Sequence, residues 1–387
     1  MLRKTLILLA AALLAVQSAP AAEPAPPAST EPTRAAPLPP VPAPAANDLE
    51  AMIGQMIMVG FVGTSPQDPW PEKLLGQIAA GQVGGVLFLA RNAASEAAVR
   101  ALNQAILDAG GATPVLIALD QEGGRIERLT QKVGFSPRPS AHDVAASYSV
   151  AEATALYAGL ARDLRNWNFN LNLGPVVDVD VNPDNPIIGA LGRSFSADPR
   201  TVADYAGAFV SGHHASGMLT ALKHFPGHGS SRADSHKGFV DVTATWTEAE
   251  LQPYRDLVAA GMADMVMTGH LYLAQLSDPT ARLPASLSKP ALDVLRNDIG
   301  FDGVIISDDM EMQAIEQHYT LEEAAVAAVR AGNNILIYSN YANPRPDLPG
   351  EVIAILRRHA EGDPEFRAMI EDSYRKVMTL KGRLDRP

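Results

Sequence analysis

Eight short apolar runs rich in β-forming residues, each followed by a stretch of helical periodicity, constrain this 387-residue chain more than any other feature. The runs fall at 53–61, 85–90, 115–119, 169–177, 220–224, 265–270, 303–307 and 334–338. Helical periodicity lies between them, at 95–109, 150–166, 201–216, 248–260, 291–298 and 321–331. Thr247 and Thr320 precede acidic first turns, as helix caps do. Strand and helix in alternation predict βα units around a parallel sheet. Eight such units over residues 48–387 predict a single domain folded as a (β/α)₈ TIM-type barrel, because an open doubly wound sheet usually runs fewer strands or adds a second domain.

The first residues read differently. Arg3 and Lys4 precede an apolar run at 6–16 and small residues at 18–22, the pattern of a secretory signal over residues 1–21, cut after Ala21. The expected product is exported, periplasmic or secreted. The run is shorter than the ~20 apolar residues a membrane-crossing helix needs, so no stable insertion is expected after cleavage; an uncleaved anchor is the alternative. Residues 22–47 are mostly Ala and Pro, with too little apolar bulk for a core, and read as an extended linker.

The chain has no cysteine, which removes thiol nucleophiles, thiolate metal sites and disulfides from consideration. Chemistry falls to His, Asp, Glu, Ser and Lys. A formal net charge of −12 argues against nucleic acid as a partner.

Polar clusters gather where the strands end. "DQEGGRIER" (120–128) follows the third run, "NPDNPIIGALGRSF" the fourth, Lys223 and His224 close the fifth, Thr268 and His270 the sixth, and "SDDME" (307–311) the seventh. Catalytic groups of such barrels sit past the C-terminal ends of the strands, so these clusters predict one shared pocket there.

The segment "KHFPGHGSSRADSH" (223–236) admits several chemistries. His224 and His228 have the spacing that shares a metal ion on a helix, yet Pro226 and Gly227 forbid that helix; a loop could still offer ligands, completed by Asp120 and His270. A phosphate cradle lacks the Walker glycine spacing. In the acid/base reading, Asp234 and His236, two apart on an extended loop, face one side, and the carboxylate fixes one imidazole nitrogen. Asp308 follows the strand "GVIIS" and precedes Asp309; adjacent carboxylates face opposite ways, so only one enters the barrel mouth. It suits a nucleophile toward an anomeric carbon, a metal ligand or an ion-pair partner.

Taken together, "DQEGGRIER", "NLGPVVDV", "GRSF", "KHFPGHG" with "DSH", "PASLS" and "GFDGVIISDDM" resemble the signature segments of glycoside hydrolase family 3, in its single-domain β-N-acetylglucosaminidase (β-hexosaminidase) branch. The resemblance spans about residues 50–340, in order. It implies a barrel enzyme that retains anomeric configuration, with Asp308 as nucleophile and His236, paired with Asp234, as general acid/base. It implies sugar-hydroxyl ligands at Asp120, Arg128, Arg193, Lys223 and His224, no metal and no cofactor. The implied substrate is a terminal N-acetylglucosamine on a small oligosaccharide or muropeptide. A phosphorylase of the same family is the alternative, since a neutral imidazole tolerates an incoming phosphate; a metal-dependent barrel hydrolase is a further one. Asn333, Asn334 and Gly269 depart from the family's pattern, and rim packing or the far side of the pocket is where they are expected to act. Trp70, Trp167 and Trp246 are candidates for stacking on sugars or for packing.

Overall fold

The computed structural model describes residues 49–384 apart from Asp278 and Pro279. The signal at 1–21 and the linker at 22–47 lie outside the described residues.

Each predicted apolar run contains a strand. In chain order these are β1 (Ile57–Gly60), β2 (Gly85–Phe88), β3 (Leu116–Leu119), β4 (Leu171–Asn172), β5 (Leu219–Phe225), β6 (Met265–Thr268), β7 (Val304–Asp309) and β8 (Ile335–Tyr338). Every one pairs in parallel with its neighbours in sequence, and β1 closes on β8 through Ile57↔Leu336, Met58↔Ile337 and Val59↔Tyr338. The result is the closed (β/α)₈ barrel that the alternation predicts.

Side-chain alternation separates two cores. Met58, Leu87, Leu116, Leu171, Met265 and Ile306 point into the barrel. Their neighbours Val59, Val86, Ile117, Val266 and Ile305 point outward into the larger layer under the helices. At the N-terminal end of the barrel, Val377, Leu380 and Leu384 of the C-terminal segment join the inner cluster.

Several boundaries differ from expectation for identifiable reasons. The run at 53–61 begins as the end of a helix, Leu49–Gln55, because an unbroken apolar run carries no period that separates buried helix from buried strand. The fourth run keeps only Leu171–Asn172 as strand: Pro175 has no N–H to donate, and the chain rejoins the sheet only at the isolated Val176↔Lys223 bridge. Helix Leu321–Ala331 starts at Thr320 with a reciprocal capping box to Glu323. Thr247 makes no side-chain cap bond, and the residues after it form a 3₁₀ turn, Glu248–Leu251, before helix Gln252–Ala259. The stretch at 291–298 divides into helix Lys289–Asp293 and a π turn, Val294–Asp298.

Asn333 and Asn334 are buried packing residues. Asn334 Oδ1 accepts from the amide of Ile305 and from Arg296 Nη2, both at 2.8 Å, where β8 begins, opposite the rim that carries the polar clusters. Asn333 donates to the carbonyls of Ser286 (2.7 Å) and Ala328 (2.9 Å) and accepts from Thr268 Oγ1 at 2.9 Å.

Lys381 is wholly buried, and its Nζ donates at 2.6 Å to both Gln55 Oε1 and the carbonyl of Gly84. No carboxylate pairs with it among the described residues, and burial lowers its pKa to about 7. The unfolded chain therefore binds the proton more tightly, so this group's contribution to stability grows as pH rises from 7 toward the ordinary lysine value and is lost as pH falls through 7. Lys381→Met should raise stability at pH 6 to 7, by an amount that shrinks by about 2–4 kcal/mol toward pH 10. Urea unfolding of both proteins across that range checks it; a pH-independent difference defeats the prediction.

Candidate active site

The polar clusters converge at the C-terminal mouth of the barrel, built on a row of alternating charges. Asp120, just past β3, accepts from Arg128 Nη2 and from Lys223 Nζ, each at 2.8 Å. Lys223, on β5, also reaches Glu122 Oε1 at 2.7 Å. Glu122 in turn accepts a two-pronged bond from Arg193, whose Nε and Nη2 both lie at 2.8 Å. Burial alone would drive Asp120, Glu122, Lys223 and Arg193 toward neutrality, but in each it is outweighed by the partners. Lys223 and Arg128 hold Asp120 well below the usual carboxylate range; Arg193 and Lys223 hold Glu122 at about 2. Asp120 and Glu122 hold the Lys223 ammonium above its ordinary value.

Local chain chemistry makes this row possible. Gln121 Oε1 accepts the amides of Arg128 and Leu129, at 2.9 and 3.0 Å, folding 120–128 into a hairpin that returns Arg128 to Asp120. Gly123 turns that hairpin at φ +103°, with a would-be Cβ only 2.2 Å from the carbonyl of Pro139.

Histidines line the next layer. His224 Nδ1 donates to Asp178 Oδ2 at 2.7 Å, which leaves its Nε2 lone pair toward Arg193 Nη2, 3.4 Å away. Asp178 is fully buried, and its other oxygen accepts the amides of His224 and His228, at 3.1 and 2.8 Å. His270 Nε2 donates to the carbonyl of Asp309 at 2.8 Å, while Nδ1 meets Ser286 Oγ at 2.7 Å, and burial lowers its pKa. A carbonyl only accepts, so the Nε2 position is protonated. Gly269 leaves room beside these rings: a Cβ there would stand 3.2 Å from His224 Cβ.

Asp308 sits at the tip of β7. Burial raises its pKa, but the surrounding imidazoles of His270, His224 and His236, with the Asp309 amide at 2.8 Å, outweigh that and bring it below the ordinary value. Asp309 points elsewhere, accepting the amides of Ser339 (2.9 Å) and Glu311 (3.1 Å), and burial raises its pKa. The two adjacent carboxylates therefore occupy different environments.

His236 Nδ1 lies 2.8 Å from Asp234 Oδ1, with the imidazole 59% exposed and the carboxylate 13%. The expected extended loop is not what pairs them. Ser235–Lys237 is a 3₁₀ turn that Asp234 caps, its carboxylate accepting the amide of His236 at 3.0 Å as well as the ring. Burial opposes ionisation of Asp234, yet the bonds from His236 prevail and lower its pKa.

The two-histidine metal arrangement is not assembled. The rings of His224 and His228 lie 5.8 Å apart at 78°, and both nitrogens of His228 face serine hydroxyls. Among the described residues no three His, Cys, Asp or Glu side chains gather at metal-binding distance. The tryptophans pack: Trp167 is buried edge-on to Phe135, Trp70 rests on the core, and Trp246 donates to the carbonyl of Pro226 at 3.0 Å.

The sequence points to every member of the row except Glu122, and to His270 at the end of the sixth strand, but passes over Asp178. Glu122 stands two residues from Asp120, the same-face spacing of an extended chain, and was legible on that basis. Asp178 lies inside "NLGPVVDV", where nothing but burial distinguishes it from a solvated carboxylate.

Residues 48–380 match the model of the glycosyl hydrolase family 3 N-terminal domain. The β-hexosaminidase LpqI of Mycobacterium tuberculosis is 35% identical over 285 residues, covering 72% of this chain and 70% of that protein. The solved β-N-acetylhexosaminidase of Beutenbergia cavernae superimposes with a TM-score of 0.78 at 34% identity, over 86% of this chain and 98% of the other. A family 3 β-N-acetylglucosaminidase from a Paenibacillus species gives 0.78 at 31% identity, over 87% of this chain and 62% of the other. A closed eightfold barrel, six signature segments meeting at its mouth, and a family match over nearly the whole described chain lead to one conclusion: the protein is a glycoside hydrolase of family 3.

Proposed function

We propose that the protein is an exported, retaining exo-β-N-acetylhexosaminidase that releases terminal N-acetylglucosamine from peptidoglycan fragments or chitooligosaccharides. The observation that carries this reading is the division of labour at the barrel mouth. Asp308 is a half-buried carboxylate whose pKa the surrounding imidazoles hold down, while the proton carrier is an exposed histidine tied to its own carboxylate. The β-hexosaminidase and β-N-acetylglucosaminidase names of the relatives support the substrate class.

In this mechanism an Asp308 oxygen attacks C1 of the terminal sugar. The glycosidic C–O bond breaks, and its electron pair goes to the leaving oxygen, which takes a proton from His236 Nε2. His236 Nδ1 stays engaged with Asp234, which orients the ring and steadies the imidazolium. The neutral ring then removes a proton from water as that water attacks C1, releasing Asp308 and giving net retention. Asp120, Arg128, Lys223, Arg193 and His224 hold the sugar hydroxyls. Their mutual bonds fix them before substrate arrives, so the ordering cost is met by the fold. No cofactor enters these steps.

Asp308→Ala should reduce turnover of a chromogenic N-acetylglucosaminide to background without lowering the melting temperature substantially. A 2-fluoro substrate should label Asp308 in the wild type, as read by peptide mass. Retained activity in the variant, with the label elsewhere or absent, rejects the nucleophile.

His236→Ala should lose about 10²–10⁴-fold on substrates whose leaving oxygen must be protonated, and much less on activated phenyl glycosides. Equal losses on both would remove His236 from proton transfer.

Activity should be indifferent to a chelator. Added phosphate should neither accelerate turnover nor yield sugar 1-phosphate; acceleration with that product assigns the phosphorylase chemistry instead, and inhibition by chelator assigns the metal-dependent one.

A further inference from the structure

Beneath the exposed Asp234–His236 turn lies a buried layer that the mechanism above does not use. From His228 to Ser231 the chain is fixed to the barrel. Asn185 Nδ2 donates to the carbonyl of His228 (2.6 Å), the carbonyl of Gly229 (3.2 Å) and Ser231 Oγ (3.1 Å). Glu250 Oε2 accepts the amide of Gly229 at 2.9 Å. Gly229 lies so near the chain after β4 that a Cβ would stand 1.6 Å from the carbonyl of Val179. Past Ser231 the chain turns outward to the dyad. The His228 ring spans that change: Nδ1 lies 2.7 Å from Ser231 Oγ and Nε2 lies 3.4 Å from Ser235 Oγ. Ser235, between Asp234 and His236, is 2% exposed, so its hydroxyl points inward while the side chain that follows it points out. Burial, and then the neighbouring His224, lower the pKa of His228 to about 4, so at neutral pH the ring is one donor and one acceptor with no charge to compensate.

We propose that His228 is a positioning residue for the acid/base dyad: by bridging Ser231 on the fixed base to Ser235 inside the turn, it sets where His236 stands over Asp308 without touching substrate. This rests on the assignment of His236 as proton carrier. Displacing a catalytic group by about 1 Å is enough to cost on the order of 10²-fold, so a weak bridge at this place has a large lever.

The test compares wild type, His236→Ala, His228→Asn, His228→Gln and Ser235→Ala. The substrates are a 2,4-dinitrophenyl N-acetylglucosaminide, whose leaving group needs no proton, and chitobiose, whose leaving group does; each is run with and without azide. His228→Asn can replace only the Nδ1 side of the ring, and Ser235→Ala removes only the receiving hydroxyl. Both should lose about tenfold more kcat/KM on chitobiose than on the dinitrophenyl glycoside, and azide should restore their turnover of the latter. His228→Gln, whose amide reaches toward the Nε2 position, should stay nearer wild type. Ser235→Ala keeps the buried imidazole, so it answers even where a His228 variant folds poorly. If His236→Ala shows the leaving-group dependence and azide rescue while His228→Asn and Ser235→Ala lose equally on both substrates, the positioning role is wrong and the dyad stands. If His236→Ala itself lacks that signature, the dyad reading falls and this inference falls with it.

Discussion

The site depends on one run of contacts, Arg128–Asp120–Lys223–Glu122–Arg193, in which every ion but the two at the ends has a partner on each side. Taking a lysine and two carboxylates out of water costs several kcal/mol per ion, and their mutual attraction offsets this only if the geometry is complete. Completeness here needs β3, the hairpin after it, the loop after β4, and β5 all at once. The side-by-side placing of β3, β4 and β5 and the site's charge state are therefore linked. Removing one member leaves its neighbours buried and uncompensated, so the row is stable as a whole and fragile in its parts. A rigid polar floor of this kind suits the proposed recognition of sugar hydroxyls, because groups already aimed need no reorganisation when a ligand enters.

Above that floor the histidines differ by what they touch. His224 is held by a buried carboxylate, His270 by a carbonyl, His228 by two hydroxyls, and the exposed His236 by a half-buried carboxylate. One residue type thus supplies four environments, of which only the last is open enough to exchange protons with solvent and with a departing oxygen. In the proposed roles the arrangement also avoids a conflict that two catalytic carboxyls face, since a paired histidine would deliver a proton without presenting a second anion to Asp308. The imidazoles around Asp308 favour its ionised form despite burial, the state a nucleophile needs.

The barrel was legible because parallel strands buried on both faces are continuous apolar runs, and eight of them between helical periods leave few alternatives. What the pattern could not carry was the length of β4, where Pro175 interrupts the ladder, or the helix that opens the first run. The site was legible in residue type and position, as with Lys223, His224 and Asp308 at strand ends. It was less legible in pairing. Glu122 and Asp178 matter because of which side chains lie across from them, and that is set by the closure of a barrel rather than by neighbours in the chain. The Asp234–His236 contact shows the same limit in small: the right residues were chosen for an extended loop, whereas a capped 3₁₀ turn brings them together.

The contrast in exposure within a few residues has a mechanistic reason. In the proposed mechanism the nucleophile attacks one atom from one direction, and a fixed, half-buried carboxylate at the end of a strand serves that best. A group that first gives a proton to a leaving oxygen and then takes one from water meets two different partners, and water must reach it between the steps. Placing that group on a turn with its imidazole 59% exposed gives it this access, while the buried Ser235 behind it keeps the turn from wandering. Rigidity beneath and openness above are then complementary demands of the proposed two-step displacement, and this segment combines a Gly229 set against the barrel with histidines that face both ways.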